Sequence, residues 1–210
     1  VYPALALLIV LLLLSTVLVT IIEGLPNLVP NEDPAIIKVL ERAFKKRGIK
    51  FNTGTFFEKV EQDANGAKVT LADGKVFEAD IVLVAVGRGP NTANMGYEEQ
   101  GIPMDRGFVL ANERLHTGVG NIYAVGDIVP AVQLAHRGYQ QGIFVAEEIA
   151  GLNPTVVEDI NIPKVTFCDP EIASVGYSEP KAKEKFGADN VETAEYNLAG
   201  NGKSAILGAP

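Results

Sequence analysis

One short stretch of the sequence combines the pattern of a buried strand with a single acid. Residues 122–125 are apolar and typical of a parallel strand, and Gly126 and Asp127 follow directly. Such a strand would place one carboxylate at the carboxyl edge of a sheet. Gly126 has no Cβ atom, so a ligand or another backbone segment can approach it closely. Asp127 can accept a hydrogen bond from a sugar or polyol hydroxyl, which contributes about 1.5–3 kcal/mol.

A helix start is predicted close to this acid. Gln133, Leu134, Ala135 and His136 follow after a short loop, and a helix pattern continues over residues 137–150. The start of that helix faces the same edge as Asp127, and free N–H groups there suit an electron-rich ring or an anion. The combination favours a ligand site over the alternative interpretation, in which Gly-Asp is only a turn.

These residues resemble the second flavin-binding motif of the FAD-dependent pyridine nucleotide–disulfide oxidoreductases, and Leu134-Ala135-His136 is most similar to the dihydrolipoamide dehydrogenase branch. The similarity extends from about Val19 to the end of the chain. It implies that Asp127, beside Gly126, binds the ribityl chain of FAD. It also implies that backbone amides around residues 133–136 meet the pyrimidine edge of the flavin. His136 itself is expected to have a structural or flavin-positioning role rather than to transfer protons.

The same resemblance yields candidate NAD contacts. It identifies residues 19–23 as the second strand of an NAD-binding domain and Glu23 as the carboxylate that holds the adenosine ribose, with a solvated strand-end charge as the alternative. The apolar run 81–86 predicts a central strand, and Gly87, Arg88, Gly89, Pro90 and Asn91 follow it. In the family this motif marks the return from the NAD domain to the FAD domain, near the nicotinamide cofactor. Crossover is favoured over direct contact by Arg88.

The first 22 residues depart from the family pattern. They contain no charge and no glycine, and a segment of this length could span a bilayer. Where the family has a glycine-rich turn and a helix, residues 4–14 are bulky and apolar, which would block backbone approach to a pyrophosphate. Three interpretations stay open: a membrane anchor, a degenerate domain, or generic apolar residues standing in for poorly determined sequence. The third is favoured, and a membrane association is not expected.

The element pattern predicts a mixed α/β fold class: Rossmann-like domains with a β-meander, then the start of an α+β interface domain. The expected domains are an NAD-binding part over 1–88, a second FAD-binding segment over 89–158, and an interface domain from 159 to 210. The predicted helices cover 34–47, 137–150 and 179–186, the first with its apolar face on Ile36, Ile37, Leu40 and Phe44. The predicted strands cover 17–22, 49–60, 67–71, 75–78, 81–86, 108–110, 122–125 and 191–197, and residues 162–176 are expected to form two more around a proline turn, with Cys168 on one of them.

Composition narrows the function classes. A net charge of −8 disfavours a nucleic-acid-binding surface. The single cysteine, Cys168, permits no intrachain disulfide and fits a reducing, cytoplasmic setting. With only His116 and His136 beside it, no metal site is expected.

The resemblance implies a homodimer that oxidises dihydrolipoamide on the lipoyl domains of 2-oxoacid dehydrogenase complexes, passing electrons through FAD to NAD⁺. The family's redox-active cysteine pair and catalytic histidine are not among these 210 residues, so no catalytic residue is assigned in this chain. A related mercuric or glutathione-type reductase is the near alternative, although Gln133-Leu134-Ala135-His136 argues against the glutathione type. A non-enzymatic membrane-anchored module is the alternative from another class.

Overall fold

The computed structural model describes residues 17–208. The apolar segment at the start of the chain, which the sequence left open between three interpretations, lies outside the described residues except for its last few positions. Within the described part of the chain, no helix is long and apolar enough to cross a membrane. The mixed α/β fold class is confirmed, because parallel and antiparallel strand pairs both occur.

A parallel strand pair joined by a helix forms the first part of the fold. β1 (Thr20–Glu23) lies beside β2 (Lys50–Thr53), with Ile21 opposite Phe51, and α1 (Pro34–Lys46) connects them. Parallel neighbours need such a crossover because their ends lie at opposite edges of the sheet. The predicted helix is therefore confirmed, and the strand predicted over 17–22 is confirmed from Thr20 onward, with Glu23 at the end of β1.

The ends and the buried face of α1 follow local signals in the sequence. Pro34 occupies the first turn, where its missing N–H costs nothing, and Gly48 follows the helix with a φ of +80°. Leu40 and Phe44 are completely buried, and Ile37 is nearly so. The prediction that Ile36 belongs to this face is wrong, since its side chain is 43% exposed. One residue step turns a helix by about 100°, which carries Ile36 away from the direction of Ile37.

The hydrophobic core around α1 includes residues from distant parts of the chain. Leu28 and Val29 from the loop after β1, and Ile49 before β2, pack with the buried face of α1. Cys168 and Ile172 complete the same cluster. A contact outside the core supports this packing, because Arg47 Nη1 donates to the backbone oxygen of Asp169 at 2.8 Å.

Three antiparallel strands form the predicted meander. β3 (Phe57–Asp63), β4 (Gly66–Leu71) and β5 (Val76–Ala79) lie in sequence order in one sheet. The single strand predicted over 49–60 is wrong, because β2 and β3 are separate. Gly54 divides them with a φ of +77°, a conformation that does not continue a strand.

Three predicted strands are not formed. Residues 81–86 pair with no other strand in the described part of the chain, and Ile81 is 84% exposed. Residues 122–125 contribute only an isolated antiparallel bridge between Tyr123 and His116. Residues 191–197 are not a strand either. A strand requires a hydrogen-bonded neighbour, and its apolar pattern does not encode that neighbour.

The remaining elements are short, except for the helix that follows the Gly-Asp motif. β6 (Met104–Asp105) and β7 (Phe108–Val109) form one hairpin, and β8 (Lys164–Thr166) and β9 (Ile172–Ser174) form another. Between them lies α2 (Ala135–Ile149), which begins two residues before the predicted start. A second compact unit starts at Tyr177 and contains α3 (Glu179–Phe186), with Ser178 at its N-cap position, and α4 (Gly202–Leu207).

Cys168 lies in the turn between β8 and β9, so its predicted placement on a strand is wrong, although its packing in a core is confirmed. Burial raises the pKa of its thiol to about 11, and the nearby carboxylates of Asp169 and Glu171 act in the same direction. The pKa of this thiol is higher in the folded protein than in the unfolded chain, so its protonated form favours folding. This contribution to stability is present in full below about pH 9 and is lost as the pH rises towards 11.

We therefore expect Cys168 to react slowly in the folded protein. At pH 8 the thiolate fraction should be roughly 100-fold smaller than in the unfolded chain, since only the thiolate is nucleophilic. Iodoacetamide labelling of the Cys168 peptide, followed by mass spectrometry with and without urea, measures this difference. Equal labelling rates in the two conditions would contradict it.

Candidate functional site

The Gly126-Asp127 pair forms a tight turn rather than the end of a regular strand. Residues Gly126–Ile128 make a single 3₁₀ turn after the extended residue Val125. Gly126 has a φ of +79°, and a Cβ atom built on it would meet no heavy atom within 4 Å. The side chain of Asp127 is 42% exposed. The motif therefore combines an open approach to the backbone with an accessible carboxylate.

The start of α2 lies against this turn. The side chain of Gln133 donates from Nε2 to the backbone oxygen of Asp127 at 3.1 Å. The first hydrogen bond within α2 runs from the Gly138 N–H to the Leu134 oxygen at 3.2 Å. The N–H groups of residues 135–137 therefore have no acceptor inside the helix. They point out of its start, where they suit an electron-rich ligand.

Both histidines are held by backbone groups. His136 Nε2 donates to the Pro163 oxygen at 2.7 Å, which supports the expected structural role rather than proton transfer. His116 Nε2 donates to the Gly120 oxygen at 3.0 Å, and its Nδ1 accepts from the Gly118 N–H at 2.9 Å. His116 is therefore a loop residue held by two hydrogen bonds to the backbone.

The candidate NAD contacts have different hydrogen-bond and ion-pair partners. Glu23 Oε1 accepts a hydrogen bond from the Leu25 N–H at 2.9 Å, so this carboxylate shapes the turn after β1. Gly87 adopts a φ of +130° directly before Arg88. Arg88 Nη2 lies 3.7 Å from Asp127 Oδ2, with both side chains about half exposed. The structure thus brings Arg88, a candidate for NAD, to Asp127, a candidate for FAD.

Two residues of α2 that the sequence reasoning missed hold the turn. Gln141 and Arg137 are 2% and 3% exposed. Gln141 Oε1 accepts the Gly126 N–H at 2.7 Å, and Arg137 Nη1 donates to the Gly126 oxygen at 3.3 Å. Arg137, Gln141 and Phe144 are spaced four and three residues apart, so all three lie on the buried face of α2. This periodicity is the signal that could have identified Arg137 and Gln141.

A second pair ties the far end of α2 to the loop before the motif. Arg114 Nε donates to Glu148 Oε1 at 2.6 Å, and Arg114 Nη2 contacts the other oxygen. These hydrogen bonds lower the pKa of the Glu148 carboxyl and raise that of the Arg114 guanidinium. The guanidinium also lies 5.2 Å from the ring centre of Phe144. The loop that leads to the motif is therefore anchored to the same helix.

These features define a class. A parallel β1–α1–β2 unit with an acid at the end of β1, and a glycine–carboxylate turn beside a helix start, are typical of α/β proteins that bind nucleotide cofactors.

Comparison with known proteins narrows the class to one family. The family model described as "Pyridine nucleotide-disulphide oxidoreductase" matches residues 7–142, and the model of that family's dimerisation domain matches residues 162–209. The chain belongs to the pyridine nucleotide–disulphide oxidoreductase family.

Curated relatives agree on one branch of the family. Dihydrolipoyl dehydrogenase from Geobacillus stearothermophilus is 40% identical over 193 residues, and that from Bacillus subtilis is 40% identical over 192 residues. These alignments cover 90% and 89% of this chain, and 40% of each relative. The chain therefore spans about two fifths of the length of the curated relatives it matches.

Solved structures show the same fold. LpdA from Mycobacterium tuberculosis superposes with a TM-score of 0.83 at 27% identity, over 91% of this chain and 42% of that one. The HOCl-induced flavoprotein disulfide reductase RclA from Escherichia coli superposes with a TM-score of 0.76 at 25% identity, over 90% of this chain and 43% of its own.

The backbone of Gly126 provides a test of this site. Gly126→Ala should destabilise the protein by about 1–2 kcal/mol, because an L side chain strains the left-handed conformation. Gly142→Ala is the matched control within α2: its Cβ atom would meet nothing within 4 Å, so the change should stabilise the helix by about 0.5–1 kcal/mol. Urea denaturation of both variants measures the difference, and equal effects would show that the turn conformation is not required.

Proposed function

We propose that the complete protein is a flavoprotein oxidoreductase of the dihydrolipoyl dehydrogenase type. It oxidises protein-bound dihydrolipoamide and passes the electrons through a redox disulfide and FAD to NAD⁺. The observation that carries this proposal is the accessible carboxylate of Asp127, held at the positive-φ Gly126 beside the start of α2. The curated relatives named dihydrolipoyl dehydrogenase support the same choice of substrate.

The described residues fit FAD in three respects. The carboxylate of Asp127 can accept hydrogen bonds from ribityl hydroxyls, the absence of a side chain at Gly126 allows close approach, and the N–H groups of Ala135 and His136 could donate to the pyrimidine edge of a bound flavin. Gln133 and Leu134 contribute by fixing the helix start, Gln133 through its hydrogen bond to Asp127. When bound, FAD supplies two-electron transfer between the disulfide and the nicotinamide.

The proposed NAD contacts are Glu23, Gly87 and Arg88. One carboxylate oxygen of Glu23 accepts the Leu25 N–H, and the other can accept a ribose hydroxyl at the end of β1. The backbone at Gly87 lies in open space, since a Cβ atom there would meet nothing within 4 Å, so a ligand can approach it. The contact between Arg88 and Asp127 supports a role for Arg88 at the crossover from the NAD domain to the FAD domain in preference to direct contact with NAD.

The domain boundaries and partners complete the proposal. Residues 1–88 belong to the NAD-binding domain, 89–158 to the FAD-binding domain and 159–210 to the interface domain. The match of residues 162–209 to a dimerisation domain supports a homodimer. The expected partners are lipoyl domains of 2-oxoacid dehydrogenase complexes, in the cytoplasm. The related reductases and the membrane-anchored module are not favoured, because the curated relatives at about 40% identity are dihydrolipoyl dehydrogenases.

Asp127→Ala in the full-length protein should weaken FAD binding by roughly 10- to 100-fold. The loss of a charge-assisted hydrogen bond worth about 1.5–3 kcal/mol sets this range. Titration of the apoprotein with FAD, followed by flavin fluorescence, measures the dissociation constant. Asp105→Ala is the control, since that carboxylate lies on β6 and contacts the neighbouring Arg106. Unchanged FAD affinity in Asp127→Ala would remove the proposed role.

Glu23→Gln should weaken NAD⁺ binding by about tenfold and leave the FAD content unchanged. Glutamine keeps an oxygen for the Leu25 N–H, so the turn is preserved while the charge that strengthens a ribose contact is lost. Steady-state kinetics would show a higher KM for NAD⁺. Glu58→Gln on the exposed strand β3 is the control and should change neither value. An equal KM in both variants would favour a solvated strand-end charge at Glu23.

A further inference from the structure

We infer that Gln141 and Arg137 are positioning residues for flavin binding, because they hold both backbone groups of Gly126 and so fix the place of Asp127. The inference rests on the proposed function, since it concerns the same FAD site. Neither residue needs to touch the cofactor.

Gln141 holds the amino side of Gly126. Its side-chain oxygen accepts the Gly126 N–H at 2.7 Å, and the residue is 2% exposed. A buried amide is restricted to the partners around it, since water cannot replace them. The hydrogen bond therefore restrains the Gly126 N–H, in a residue whose lack of a side chain would otherwise leave its backbone free to rotate.

Arg137 holds the carbonyl side and the end of the turn. Its Nη1 donates to the Gly126 oxygen at 3.3 Å, and its Nη2 donates to the Pro130 oxygen at 3.2 Å. Its Nε contacts Asp159 Oδ1, and this carboxylate balances the buried guanidinium charge. The planar fork of an arginine presents these donors in fixed directions, which lysine could not reproduce.

The contacts of Gln141 and Arg137 with Gly126 position Asp127 through the backbone. The Gly126 carbonyl shares one rigid peptide plane with the Asp127 N–H, so holding that oxygen fixes the plane from which Asp127 extends. Gln133 then holds the Asp127 carbonyl at 3.1 Å. Three consecutive peptide groups are therefore fixed by side chains of residues 133, 137 and 141, which recur every four positions. The Asp127 side chain makes none of these contacts and stays available to a ligand.

Close packing of α2 on the turn makes these contacts possible. A Cβ atom at Gly138 would lie 3.4 Å from the Gly126 Cα atom, so the helix backbone approaches the turn closely at this point. Gly138 lies between Arg137 and Gln141 along the helix. The absence of a side chain there allows both polar side chains to reach the Gly126 backbone.

The experiment compares five variants of the full-length flavoprotein with the parent: Gln141→Leu, Gln141→Glu, Asp127→Ala, the double variant of Gln141→Leu with Asp127→Ala, and the control Gln140→Leu. Gln141→Leu removes the acceptor at similar volume and should weaken FAD binding at least tenfold. Gln141→Glu keeps an acceptor oxygen and should remain within about threefold of the parent. Gln140→Leu is the matched control on the exposed side of α2 and should bind FAD as the parent does.

The double variant separates positioning from general stability. If Gln141 acts through Asp127, Gln141→Leu should weaken FAD binding little further in the D127A background. A purely structural role predicts the same loss in both backgrounds, together with a lower unfolding temperature of the apoprotein, and that result would overturn the inference. Equal losses in Gln141→Leu and Gln141→Glu would also overturn it. A parent protein that binds no FAD would instead refute the proposed function.

Discussion

The burial of the Arg137 guanidinium is the constraint on which the site depends. A charge that is almost fully removed from water must be paired and hydrogen-bonded, because desolvation is otherwise far too costly. Arg137 meets this requirement with Asp159 and with the carbonyls of Gly126 and Pro130. The requirement therefore determines where the turn after residue 125 lies relative to α2. It also fixes residues 159–161, and so the segment whose Pro163 oxygen accepts the hydrogen bond from His136.

Much of the fold could be predicted from local signals. Pro34, the spacing of Leu40 and Phe44, and Gly48 were sufficient to define α1, because caps and periodicity act over a few residues. The meander could be predicted because its three short strands are joined by tight Asn-Gly and Asp-Gly connections at residues 65–66 and 73–74. The strands predicted at 81–86 and 122–125 failed because hydrogen-bonded neighbours, not apolarity, decide whether a segment is a strand. The break at Gly54 was visible only as a glycine, and its positive φ depends on the loops around it.

The candidate site was predictable to a lesser degree. The sequence indicated Gly126, Asp127 and the helix start, since motif and order carry that information. The sequence did not indicate Arg137 and Gln141, because polar side chains within a predicted helix are normally expected to face the solvent. The pairing of Arg88 with Asp127 was also missed, since the two lie in different parts of the sequence and were assigned to different cofactors. Only the fold reveals that the exit at residues 87–91 reaches the turn at residue 126.

The contact between Arg88 and Asp127 involves one oxygen of the Asp127 carboxylate. At 3.7 Å between half-exposed groups, the pair contributes at most about 1 kcal/mol, so it orients the carboxylate without occupying it. A carboxylate has about four acceptor positions on its two oxygens. Because Arg88 approaches Oδ2, Oδ1 can accept a ligand hydroxyl. The arginine then adds positive charge beside the carboxylate while the backbone of the turn is held by α2. The side chain proposed to meet the ligand and the groups that hold its backbone in place are thus different parts of the structure.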